Sequence, residues 1–188
     1  MNKKVVILLL MSAILVVAGC SKSKKTMPVS GEQMETIITP LLNTEGNKIG
    51  EVTLVQETEG VMINVEAKDL KPGLHGIHIH ETGVCTAPDF TSAGAHFNPT
   101  GKEHGFDNPK GFHLGDLPNI EVPEDGKVTM KMTTGEITLK PGQENSILDG
   151  DGVALVIHSD PDDYKTDPAG NSGDRVACAA ITSKKAKK

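Results

Sequence analysis

Gly76-Ile77-His78-Ile79-His80 alternates isoleucine with histidine. Side chains at i and i+2 of a strand point the same way, so His78 and His80 share one face. Two imidazoles side by side on a strand suit a metal, and four of the five other histidines fall in patches of the same character. His96 lies in TSAGAHFNP, His104 and His113 bracket HGFDNPKGFHLGD, and His158 ends the apolar run GVALVIH. That is a two-metal inventory. Neutral imidazole is the commonest metal ligand, and histidines mixed with one carboxylate suit copper and zinc better than magnesium or calcium, which take oxygen shells. The chemistry to expect is redox or Lewis-acid.

Beyond this strand, short alternating runs recur at 36–42, 51–56, 61–67, 127–133, 136–139, 153–158 and 175–181, separated by Gly, Pro, Asn and Asp. No capped helical period follows residue 19, and 20 glycines with 11 prolines point away from helix. The expected fold is all-β: an eight-stranded antiparallel Greek-key barrel, or immunoglobulin-like sandwich. With four Phe, one Tyr and no Trp, its core must be aliphatic. The segments 81–116 and 159–174 are too long for plain connections, and loops of that length in a compact domain are usually functional.

The N-terminus has a different character. Lys3 and Lys4 precede an uncharged, mostly apolar stretch from Val5 to Gly19, which Val17-Ala18-Gly19-Cys20 closes with small residues. This reads as a lipoprotein signal at 1–19, since a spanning helix needs about 20 apolar residues. Acylated Cys20 would then tether the mature chain to a bacterial cell membrane in an extracytoplasmic location. Residues 20–33 read as a flexible stalk, 34–181 as the folded domain and 182–188 as a basic tail. The net charge of −6 becomes two units more negative once Lys3 and Lys4 are removed, so nucleic acid is not an expected partner. With Cys20 lipidated, Cys85 and Cys178 remain as either an export-compatible disulfide or two buried thiols.

GLHGIHIHETGVC, TSAGAHFNP, HGFDNPKGFHLGDLPN, GVALVIH and GNSGDRVACAAI, taken in that order, resemble copper,zinc superoxide dismutase of the bacterial secreted type, over about residues 34–181. The resemblance implies copper ligands His78, His80, His96 and His158, and zinc ligands His96, His104, His113 and Asp116, with His96 shared. It also implies a Cys85–Cys178 disulfide, Arg175 beside the open copper position, and Asp162 as the carboxylate linking the two metal sites. Arg175 and His96 would be the catalytic residues and superoxide the substrate. Superoxide would give dioxygen and hydrogen peroxide as an extracytoplasmic antioxidant defence. Neither the sequence nor the resemblance decides between a monomer and a homodimer.

The chemistry agrees with those implications. Three imidazoles and one carboxylate make a closed, structural zinc site, and four histidines with no thiolate disfavour a blue-copper carrier. His75 is left over and reads as a packed, hydrogen-bonded core residue; Phe97, Phe106 and Phe112 read as loop packing. Two features depart from the family pattern: an acid, Asp174, before the arginine, and a short approach loop in which Lys165 and Thr166 would be the guides. The competing reading is a non-catalytic copper- and zinc-binding envelope lipoprotein. Arg175 argues against it, because storage has no use for a cation aimed at an open metal position.

Overall fold

Nine strands follow one another in the computed structural model, which describes residues 35–183. They are β1 (Thr36–Asn43), β2 (Lys48–Glu57), β3 (Gly60–Ala67), β4 (Gly73–His75), β5 (Ile77–His80), β6 (Ile120–Val122), β7 (Val128–Thr134), β8 (Val153–His158) and β9 (Arg175–Ile181). The only helical element among the described residues is a single 3-10 turn, Thr91–Ala93. The signal segment, Cys20, the stalk to residue 33 and the basic tail from 184 lie outside the described residues.

All the pairings are antiparallel, in the order β5-β8-β9-β1-β2-β3-β7, with β4 paired to β6 apart. The expected count of eight is recovered at Gly76. β4 and β5 are one run that changes partner there, from β6 to β8, while β6 comes against β7 and rounds off the barrel. Gly76 makes the change possible: its N–H donates to Asp160, its carbonyl accepts from His158, and a Cβ would come within 2.8 Å of the Ser172 side chain.

Strand register follows from alternation. In β3, Val61, Ile63 and Val65 are fully buried, while Met62, Asn64 and Glu66 face out. A slip of one residue would turn all three core residues to solvent, at about 1.5–3 kcal/mol each. β8 is buried throughout because it has two apolar neighbours. Val153, Leu155 and Ile157 join the barrel core, whereas Ala154 and Val156 pack under the loop with Phe90, Ala93 and Cys178. β5 divides likewise: Ile77 and Ile79 enter the core, and His78 and His80 face the covering loop. The metal-facing side of the strand is therefore outside the barrel and beneath the 81–119 connection.

One expected strand does not form. Residues 136–139 make an isolated bridge, Thr138 to Ser146, although Ile137 and Leu139 are buried. Their polar groups go to a side chain instead of a ladder: the Leu139 N–H and the Thr138 hydroxyl both donate to Gln56 Oε1, at 2.7 and 2.8 Å. Conversely, the three-residue strands β4 and β6 escaped the reading of alternation, being too short to show a period.

Candidate metal centre

β5 is the template of the site. The covering loop returns to it twice, with Ile79 N–H donating to Gly115 O and Phe97 N–H donating to Ile79 O, both at 2.8 Å. These bonds set His80 opposite His96 and His78 opposite Asp116. Gly115 is required at the second return, since a Cβ there would run into the Ile79 carbonyl.

His78, His80, His96 and His158 are all buried, and each presents one ring nitrogen within 4.8 Å of the others. His80 Nε2 and His158 Nε2 are 3.4 Å apart. His78 Nδ1 and His96 Nε2 are buried with no hydrogen-bond partner. Leaving a buried polar atom unmatched costs about 1–3 kcal/mol, so two of them aimed into a cluster of imidazoles fit a missing metal ligand bond.

A second cluster adjoins the first. Asp116 Oδ1 is 3.0 Å from His96 Nδ1, 3.0 Å from His104 Nδ1 and 3.3 Å from His113 Nδ1. The ligand atoms of His78, His96, His104 and Asp116 also lie within 4.8 Å of one another. Hydrogen bonding decides between His78 and His113 for this set. His78 Nε2 is bonded to Asp162, which leaves only Nδ1, the atom of the four-histidine cluster, whereas His113 Nδ1 lies 3.4 Å from His96 Nδ1. His96 thus offers Nε2 to one cluster and Nδ1 to the other.

Electrostatics prepare the two clusters differently. Burial lowers His80 to about 2, His96 to about 4 and His158 to about 3, so these rings are neutral and competent as ligands. Burial would also lower His104, but hydrogen bonds to Asp116 and Asp162 outweigh it and raise it to about 9. The carboxyl groups of Asp116 and Asp162 would be raised by burial, yet the surrounding histidines hold both well below the ordinary carboxylate range. Asp162 accepts from His78 Nε2 at 2.8 Å and from His104 Nε2 at 3.0 Å, one imidazole from each cluster. Such outer partners fix ring orientation and tautomer.

Arg175 pairs with His158 across the β8–β9 ladder. Its Nη1 donates to Phe90 O and its Nη2 to Gly94 O, each at 2.7 Å. It lines an open cavity of about 450 Å³ together with Asp89, Thr91 and Asp174. Lys165 and Thr166 are not among the residues lining it; the Thr166 hydroxyl donates instead to Asp163, which ties down their turn. Cys85 and Cys178 are joined in a disulfide with 5.7 Å between Cα atoms. His75 bridges the carbonyls of His158 and Lys71, as a structural histidine would. Phe97 packs against the core, and Phe106 sits 4.9 Å from Phe112.

Several supporting groups had no sequence signature. Asn119 holds the backbone of Asp162 on both sides, donating from Nδ2 to its carbonyl and accepting its N–H at Oδ1. Asp167 accepts the His104 N–H at 2.7 Å. Gly170, at φ 62°, leaves room for Asp162, because a Cβ would overlap the carboxylate. The one visible hint is Asn119 following Leu117-Pro118 inside a ligand patch.

A barrel carrying two abutting imidazole-rich clusters on its outer face, with one histidine common to both, defines a binuclear metalloprotein. The model of the copper/zinc superoxide dismutase family matches residues 48–181, and the chain belongs to that family. It is 44% identical over 185 residues to the superoxide dismutase-like protein YojM of Bacillus subtilis, covering 93% of this chain and 94% of that one. It is 51% identical over 142 residues to copper-zinc superoxide dismutase 2 of Aquifex aeolicus, covering 75% and 83%. Among solved structures, a SOD-like protein from Bacillus subtilis is 48% identical with a TM-score of 0.74, over 77% of this chain and 97% of that one. The Cu/Zn superoxide dismutase from Brucella abortus is 28% identical with a TM-score of 0.64, over 78% and 99%. Copper and zinc are the metals that the family and the two clusters support.

Proposed function

We propose that this protein disproportionates superoxide, with copper held by His78, His80, His96 and His158 and zinc by His96, His104, His113 and Asp116. The observation that carries the reading is the pair of unpartnered buried nitrogens, His78 Nδ1 and His96 Nε2, inside the four-histidine cluster next to Arg175. Copper would supply the one-electron chemistry, one superoxide being oxidised to dioxygen and a second reduced, with two protons, to hydrogen peroxide. Asp116 and three imidazoles close the neighbouring shell, which suits zinc in an organising role.

The chain's own residues bind, orient and protonate. Arg175 would attract the anion, its guanidinium fixed by two backbone carbonyls and charged at any physiological pH. His96, buried and neutral, would offer Nε2 either to copper or to a proton, and so would pass a proton to the reduced product. Asp162 locks His78 and His104 so that both clusters keep one geometry.

Steering gives a test. Arg175→Ala should lower kcat/KM for superoxide by about tenfold or more at low ionic strength, and Asp174→Ala should raise it by a factor of about two to four. Both effects should shrink between about 0.01 and 0.15 M salt, where the Debye length falls from roughly 30 to 8 Å. Stopped-flow superoxide decay measures them; an Arg175→Ala rate equal to wild type at every salt concentration removes Arg175 from the mechanism.

Anchoring through Cys20 belongs to the same proposal, as does an extracytoplasmic site of action. The small-residue segment before Cys20 supports it, and so does the Cys85–Cys178 disulfide, since such bonds persist in oxidising compartments. Mass spectrometry of the native N-terminus should find an acylated Cys20, and Cys20→Ser should move the protein out of the membrane fraction. An intact Met1 would contradict the anchor.

A further inference from the structure

Arg175 does not face its cavity alone. Asp89 and Asp174 line the same 450 Å³ space, so two carboxylates stand beside the one guanidinium. Asp89 is the better fixed of the two. Its Oδ1 accepts from the Thr91 N–H at 2.9 Å and from the Thr91 hydroxyl at 2.8 Å, which locks the carboxylate in the turn whose next residue, Phe90, carries the carbonyl that anchors Arg175 Nη1. The two charges also act on each other. Thr91 is the main cause that holds the Asp89 carboxyl down, with Arg175 adding to it, and Asp89 in turn offsets the lowering that burial imposes on Arg175.

We propose that Asp89 is a specificity-determining residue of the approach, a fixed negative charge that lets Arg175 accept a small monoanion while rejecting multiply charged anions such as phosphate. The deepened reading rests on superoxide being the substrate. A carboxylate changes the local potential by a set amount, and the work of bringing in a ligand is that potential multiplied by the ligand's charge. Whatever factor Asp89 takes from monoanion binding, it therefore takes roughly the square of that factor from a dianion. Arg175 alone would hold phosphate well, because guanidinium groups bind phosphate oxygens bidentately. An abundant dianion would then occupy the site that superoxide needs. Asp89 removes most of that competition at a small loss in superoxide rate.

Asp89→Asn tests this without disturbing the turn, since its amide oxygen still accepts from Thr91. On the copper- and zinc-loaded protein at mildly alkaline pH and low ionic strength, azide binding is read from its copper absorption band, and phosphate binding from displacement of azide. Asp89→Asn should tighten azide by a factor of about two to four and phosphate by about the square of that factor, with superoxide kcat/KM rising in step with azide. Asp89→Glu should restore the wild-type ratio of azide to phosphate affinity. Equal tightening of both anions, or no change in either, overturns the role of Asp89. If azide and phosphate show the expected difference between wild type and Asp89→Asn but the wild-type protein consumes no superoxide, the anion filter stands and the dismutation reading is overturned instead.

Discussion

His96→Ala should cost the protein its zinc before its copper. The substitution removes Nδ1 from a cluster whose other members are His104, His113 and Asp116, and Nε2 from one that still has His78, His80 and His158. A closed site of four ligands loses a quarter of its shell. Losing even an outer partner weakens metal affinity 10–100-fold, so the loss of a direct ligand should exceed about 100-fold for zinc. Copper with three imidazoles should stay bound with a changed coordination spectrum and a fraction of the activity. His78→Ala, by contrast, should empty the copper set first, because its only other ring bond is to Asp162. Metal content by mass spectrometry, with the copper absorption and spin-resonance spectra, reads both. If His96→Ala keeps both metals and an unchanged spectrum, the shared-ligand assignment fails.

Cys85→Ser should be the most destabilising single change outside the metal clusters. The disulfide closes a separation of 93 residues, worth at most about 4–5 kcal/mol in the chain-entropy description. At roughly 2–4 °C per kcal/mol for a domain of this size, the melting temperature should fall by about 10–15 °C. A functional loss should accompany it. The bond ties the loop at Cys85 to β9 at Cys178, and that loop supplies the Phe90 and Gly94 carbonyls that hold Arg175. Reduction with a mild thiol should therefore weaken azide binding before the fold melts. Thermal unfolding and azide titration on oxidised and reduced protein check the two effects separately; an unchanged melting temperature would show that packing of Cys178 with Phe90 and Val156 alone holds the loop.

The parts legible in the sequence were those with a period or a distinctive side chain. Val153–His158 and Arg175–Ile181 form strands with the boundaries read from their apolar runs, and the i, i+2 histidines of β5 do face one side. All the histidines assigned to metal meet in two clusters, because imidazole is rare enough that its placement carries information. What stayed hidden had no signature of its own. Residues 136–139 alternate like a strand, yet their polar groups are met by Gln56, a partner some 80 positions away. Carbonyl oxygens are common to every residue, so nothing marked Phe90 and Gly94 as the seat of Arg175. Nor did anything in the sequence single out Asp89, which the structure sets beside Arg175.

The central claim is that the two clusters form one copper–zinc centre that turns over superoxide. Its most direct measurement reconstitutes the purified protein with copper and zinc, then follows metal content and superoxide decay on the same samples. One copper and one zinc per chain, with superoxide consumed in proportion to bound copper and hydrogen peroxide appearing at half the superoxide lost, is the result predicted. Full occupancy of both clusters with superoxide decaying no faster than in buffer containing chelated metal would contradict it.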